Sequence, residues 1–221
     1  MTDLHAWVLF VHLLGWVFWL GTDVGVLLAA KRSEQGSLSR ETRLSLVSLA
    51  LVLDRAPRLA VPIVFGTGVQ LSADLGHTLL PAQAGWAIAA VWALIVATGI
   101  RFGWGETRIG GLAMTAQLGM NGVVAVGMGG LGLASLSGLL VDVMPVWLAA
   151  KWLAYGVIAA AAIWLEGTFA KAAAFYAQLA ERGGDPAFDA ALSAALQPVY
   201  RCVYVIYAAT LVAAFSGIAK M

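Results

Sequence analysis

Charge is what this sequence has least of. Lys, Arg, Asp and Glu make up 11% of the 221 residues, against about 25% in soluble domains. With 61% apolar residues and a mean hydropathy of +0.87, the composition argues for lipid rather than water as the solvent. The charges nearly cancel, leaving a formal +1. Nothing in that balance invites nucleic acid, and that partner is not expected. The one cysteine, Cys202, lies in an apolar segment, so an internal disulfide is excluded. The His and Cys residues form no cluster with zinc spacing. No G-x-S-x-G, no P-loop and no dinucleotide fingerprint stands in a suitable context. The start, MTDLH, lacks the basic region of a signal peptide, and the apolar run after it is too long for one. The first helix is therefore expected to be retained.

What the sequence does have is long apolar runs. They predict an all-α fold, a polytopic membrane helix bundle with six transmembrane helices in one domain over 1–221. The spans fall at about 5–30, 46–73, 85–102, 112–140, 145–170 and 199–219. The second is unusual, because Pro57 and Pro62 predict a kink and Asp54, Arg55 and Arg58 put charge in its first half. Asp54 and Arg58 are one turn apart and can pair. This stretch reads either as an interfacial turn with snorkelling arginines or as an inward-facing polar site. The fourth span is rich in glycine, which suits close helix packing. The fifth runs on to about Arg182, too far for one crossing. After it, Gly183-Gly184 reads as a stop and Asp185-Pro186 as a helix start. Tyr200, Tyr204 and Tyr207 share a face of the last span.

Basic residues crowd the loops at 31–43 and 101–110 and the stretch from Lys171 to Arg201. The loops at 74–84 and 141–145 have no Lys or Arg. The positive-inside rule then predicts a cell membrane protein, of the bacterial inner-membrane kind, with cytoplasmic basic loops and both termini outside.

The first span carries the clearest candidate site. At about 100° per residue, His5, His12, Trp16, Trp19 and Asp23 fall on one face of HAWVLFVHLLGWVFWLGTDVGVLLAA. Ionisable groups at membrane depth usually face a bundle interior or cavity. The topology predicts two polar layers. His12 and Lys151 form the outer one; Asp23, Asp54, Arg55, Arg58 and Glu166 form the inner one. Pairing of Asp23 with Arg58, or else Arg55, is expected. His12 suits a haem or metal ligand or a proton relay. His77, in a loop, is the only histidine on another segment and the candidate second cofactor ligand opposite His12. Copper could use His12 with methionines such as Met114, Met120, Met128 or Met144, though these also serve as packing residues.

FVHLLGWVFWLG in the first span and PVWLAAKWLAYGV in the fifth resemble helices of the HemJ-type protoporphyrinogen oxidases and of the CopD-type copper-resistance membrane proteins. The resemblance covers about 60 residues. It implies bound haem b, with His12 and Lys151 as the functional residues. The family's second histidine is replaced here by Ala149, and spans three and four form an extra hairpin. Three readings follow. One is a haem-associated or redox membrane protein. Another is a non-catalytic subunit of a homo-oligomer or larger membrane complex, packing through the fourth span and the Gly21-x-x-x-Gly25 pair. The third is a copper or small-solute transporter. No catalytic residue is assigned.

Overall fold

A computed structural model describes residues 3–140 and 143–219. The loop at 141–145, which has no Lys or Arg, lies partly outside the described residues. Among those described there is no strand, and the fold is an all-α helical bundle.

Helix α1 (Asp3–Ser33) begins with an acidic residue and ends with Lys31 and Arg32, each matching the helix dipole. Helix α2 (Arg40–Leu53) follows Ser39, whose hydroxyl accepts the Thr42 N–H at 3.3 Å. It stops at Asp54, and α3 (Arg55–Asp74) starts afresh. The break has a local cause: Pro57 has no N–H, and its ring crowds the carbonyl four residues back, that of Leu53. Helix α4 (Ala82–Phe102) ends at Gly103, where φ is 74°. Thr107 then accepts the Gly110 N–H and opens α5 (Arg108–Val124). A π-helical turn (Ala125–Gly129) joins it to α6 (Gly130–Leu136). This segment ends four residues before the expected 140, where Gly138 takes φ 76°. Helix α7 (Val146–Arg182) stops at Gly183, φ 77°. Asp185 accepts the Phe188 N–H at 2.8 Å, and α8 (Pro186–Ala219) begins with Pro at its first position.

These elements make six helical segments, counting α2–α3 and α5–α6 as one each. Five are long and apolar enough to cross a membrane: α1, α4, α5–α6, α7 and α8. Neither half of the broken α2–α3 segment meets both conditions. Helix α7 has 37 residues, about 55 Å at 1.5 Å per residue. That exceeds the roughly 30 Å hydrocarbon layer, so α7 continues beyond any single crossing.

The chain divides into two compact units. One holds Met1–Val26 and Leu51–Met120; the other holds Leu27–Ala50 and Asn121–Met221. In the first, α3 meets α4 through small residues: a Cβ on Gly66 would lie 2.8 Å from Ala89, and one on Gly85 would strike Val69. Trp92, almost fully buried, packs edge-on to Phe65 and donates to Gln117 Oε1 at 2.9 Å. In the second unit α7 and α8 pack lengthwise around Tyr176, Leu179, Leu192, Leu196 and Tyr200. The glycine-rich segment lies backbone to backbone on α7. A Cβ on Gly132 would meet Ala149 and Leu153 main chain, and one on Gly156 would meet Gly129.

Candidate functional site

In the first unit α1 and α3 run antiparallel in one continuous seam. His5 Nδ1 lies 2.8 Å from Asp74 Oδ2, and His12 Nδ1 lies 2.9 Å from Thr67 Oγ1. Next along the seam, a Cβ on Gly15 would sit 3.1 Å from Val64, and one on Gly25 would sit 3.2 Å from Leu53. The first three pairs step along α1 and α3 at equal pace in opposite directions; the fourth, on the end of α2, is shifted by one residue. Of the expected stripe, His5 and His12 meet α3 directly, and Gly15 joins them in the seam. Val8, Gly15 and Trp19 are buried, and His5, His12, Trp16 and Asp23 are half-buried. Trp7, Phe10, Val17 and Phe18 occupy exposed positions. The His5 and His12 side of α1 therefore faces α3.

The His12–Thr67 contact has a direction. Thr67 Oγ1 also lies 2.6 Å from Ile63 O and 3.2 Å from Val64 O. A threonine has one hydroxyl hydrogen, and carbonyl oxygens can only accept. That hydrogen goes to Ile63, so Thr67 accepts from His12 Nδ1–H. The neutral imidazole is then the Nδ1–H tautomer, and Nε2 carries the basic lone pair. Gly68 makes room for the ring, since a Cβ there would meet His12 Cε1 at 3.3 Å.

Toward the start of α1, a hydrogen-bonded chain links three helices. Trp86 Nε1 donates to Gln70 Oε1 at 3.1 Å, and Gln70 Nε2 donates to Asp74 Oδ1 at 2.8 Å. Asp74 Oδ2 then meets His5. Gln70 first, and His5 second, hold the Asp74 carboxyl below its ordinary value. His77 follows α3, tied through its backbone to Ser72. Thr67, the partner of His12, lies five residues before Ser72.

At the other end of this unit Arg58 pairs with Asp54 one turn away. The Arg58 guanidinium also stacks 5.1 Å from the Trp104 ring centre. Asp23 and the exposed Arg55 lie in this unit too. Lys151, Ala149 and Glu166 belong to the second unit. Ala149 is fully buried, and Lys151 and Glu166 are half-buried. The Lys151 side chain lies against Gly217, and its flexible end would have to move aside for a Cβ there.

The second unit also holds a polar cluster that the sequence reading passed over as loop charge. Arg43 is 3% exposed and donates from Nε to Ser33 O at 2.8 Å. Its Nη1 forms an ion pair with Asp189 Oδ1 at 2.8 Å, without good hydrogen-bond alignment. Ser33 Oγ shares a 2.7 Å hydrogen bond with Tyr176 Oη. Lys31 Nζ donates to Tyr204 Oη at 2.6 Å and lies over the Tyr200 and Tyr204 rings. A signal for Arg43 existed: Val47 and Ala50 follow it at helical spacing, on the buried side of α2.

Among the described residues no three His, Cys, Asp or Glu side chains group as a metal site. A haem needs less, since one neutral imidazole suffices as proximal ligand. His12 fits that role, with Nδ1–H anchored by a neighbour and Nε2 in the ligating form. Comparison of the chain with family models, with curated proteins and with solved structures gives no match. Fold and site thus define a class: an all-α membrane protein with a histidine-bearing polar seam between α1 and α3.

Proposed function

We propose that this membrane protein holds haem b on the His12 face of α1, with His12 as the axial ligand, and serves a redox function. The observation that carries the reading is the Thr67 hydrogen bond, which selects the tautomer whose Nε2 can ligate iron. Haem bound there would supply one-electron or oxygen chemistry. The chain's own residues orient the imidazole, through Thr67, and leave room for it, through Gly68. An absorption spectrum of detergent-purified protein tests the reading. The wild type should show a Soret band, and His12→Ala should abolish it. Thr67→Val should weaken haem retention by about tenfold or more. A protein that stays colourless after expression with ample haem would overturn the proposal.

A non-catalytic membrane subunit is the second reading. Gly21 favours it, because a Cβ there would meet nothing within 4 Å, which leaves a small-residue surface for a partner helix. Co-purification with a larger complex, without a chromophore, would select this reading.

A further inference from the structure

In the first unit the start of α3, the end of α4 and the start of α5 carry four arginines, one of which stacks on Trp104. Trp104 lies flat on α4, over Gly99, where a Cβ would collide with its ring. Arg58 covers the ring, and Asp54 neutralises Arg58. Arg55 is the first residue of α3, Arg101 is next to last in α4, and Arg108 opens α5. These three are exposed, and among the described residues none of them forms an ion pair. Two acidic residues, Asp54 and Glu106, stand among the four arginines, so the region keeps a positive excess.

Two further features decide what such a surface takes. It lies where two membrane-length segments end and begin, α4 at Phe102 and α5–α6 at Arg108. Each unpaired arginine also has an exposed leucine one or two turns along its own helix: Leu59 for Arg55, Leu94 for Arg101 and Leu112 for Arg108. Guanidinium groups bind phosphate oxygens in a fork, and the apolar band beside them suits acyl chains. A free anion would use the charges alone. The loop-charge pattern assigns this end to the cytoplasmic leaflet, the side that carries anionic lipid.

We infer that Arg55, Arg101 and Arg108, arranged around the Arg58–Trp104 stack, form a seat for the phosphate headgroup of an anionic phospholipid. Arg58 is the fixed wall of the seat, and the three exposed arginines are its ligands. The site is independent of any cofactor at His12.

The test uses the full chain in nanodiscs of phosphatidylcholine with phosphatidylglycerol, followed by native mass spectrometry of the lipid retained. Wild type should retain phosphatidylglycerol several-fold over phosphatidylcholine. The Arg55→Gln/Arg101→Gln/Arg108→Gln variant should lose most of that preference, and Lys171→Gln/Arg182→Gln, on α7, should keep it. Equal retention of both lipids by wild type would overturn the inference. So would a preference that survives the triple substitution, or a thermal stabilisation by inorganic phosphate that equals the one from phosphatidylglycerol. A second measurement does not depend on the triple variant folding. The difference in emission between wild type and Trp104→Phe isolates Trp104, and phosphatidylglycerol brominated near the headgroup end of its chains should quench it more than the matching phosphatidylcholine. Equal quenching would also overturn the inference.

Discussion

Thr67 has a single hydroxyl hydrogen, and its placement fixes the state of His12. Valine has the same shape without the hydroxyl. Thr67→Val should cost about 1 kcal/mol, the net worth of one hydrogen bond, and leave both tautomers of His12 populated. Thr67→Ser should keep the Nδ1–H form. Nitrogen NMR of labelled histidine distinguishes the outcomes, and one unmixed tautomer in the valine variant would contradict the assignment. Asp74 gives a pH prediction whose sign follows from its partners. Its folded value lies below the ordinary 3.8. Its contribution to stability is therefore complete above 3.8 and is lost as pH falls through the lower, folded value. Acidification below that point should lower Tm more in wild type than in Asp74→Asn. Arg43 is buried and holds both Asp189 and the Ser33 carbonyl. Arg43→Ala strands the Asp189 carboxylate and the Ser33 carbonyl, and should destabilise by about 3 kcal/mol or more, measured by unfolding in detergent. The polar face of α1 was legible because charged and aromatic residues are conspicuous in an apolar run. Thr67 was not: a hydroxyl that bonds its own helix leaves no periodic trace. Arg43 was misread because four basic residues around one loop look like a solvated surface, and only the helical spacing of Val47 and Ala50 shows otherwise.

At the scale of the helix, glycine has two roles that the sequence does not separate. Gly156 and Gly129 touch through their main chains, so Gly156→Ala should overpack α7 against the π-helical turn and cost about 1–3 kcal/mol. Gly21 meets nothing, so Gly21→Ala should be neutral or stabilise by up to about 1 kcal/mol through helix propensity. Thermal unfolding of the two variants in one detergent checks the contrast, and equal losses would refute the packing argument. Element boundaries follow the same logic. Gly183 and the Asp185-Pro186 pair are local signals and could be read directly. The break at Asp54 could be expected from Pro57, but its position depends on which carbonyl the ring crowds. The π-helical turn had no local signal, because it lies where the backbone of α7 comes closest and only the tertiary packing shows that.

At the scale of the whole chain, the charged α2–α3 segment decides the number of crossings. Counted by apolarity it drops out, leaving five spans and termini on opposite sides. The seam with α1 argues for six. From His5 with Asp74 to Gly15 with Val64, α3 accompanies α1 in constant register, and after a one-residue shift at the break the end of α2 continues the pairing at Gly25 with Leu53. That length of α1 is about 30 Å at 1.5 Å per residue, close to the thickness of the hydrocarbon layer. A segment that pairs with a crossing helix over that length is expected to cross with it. Its polar residues are tolerable because several of them find partners within the unit: Thr67 meets His12, and Arg58 meets Asp54 and Trp104. With six crossings the loops before α2 and after α3 lie on opposite sides, and the basic residues around the first predict that it is the cytoplasmic one. In a Cys202→Ser background, Thr78→Cys should react with a membrane-impermeant maleimide on intact cells, whereas Ser37→Cys should react only after lysis. Labelling of both, or of neither, before lysis would mean that α2–α3 turns back without crossing, and the reverse pattern would invert the orientation.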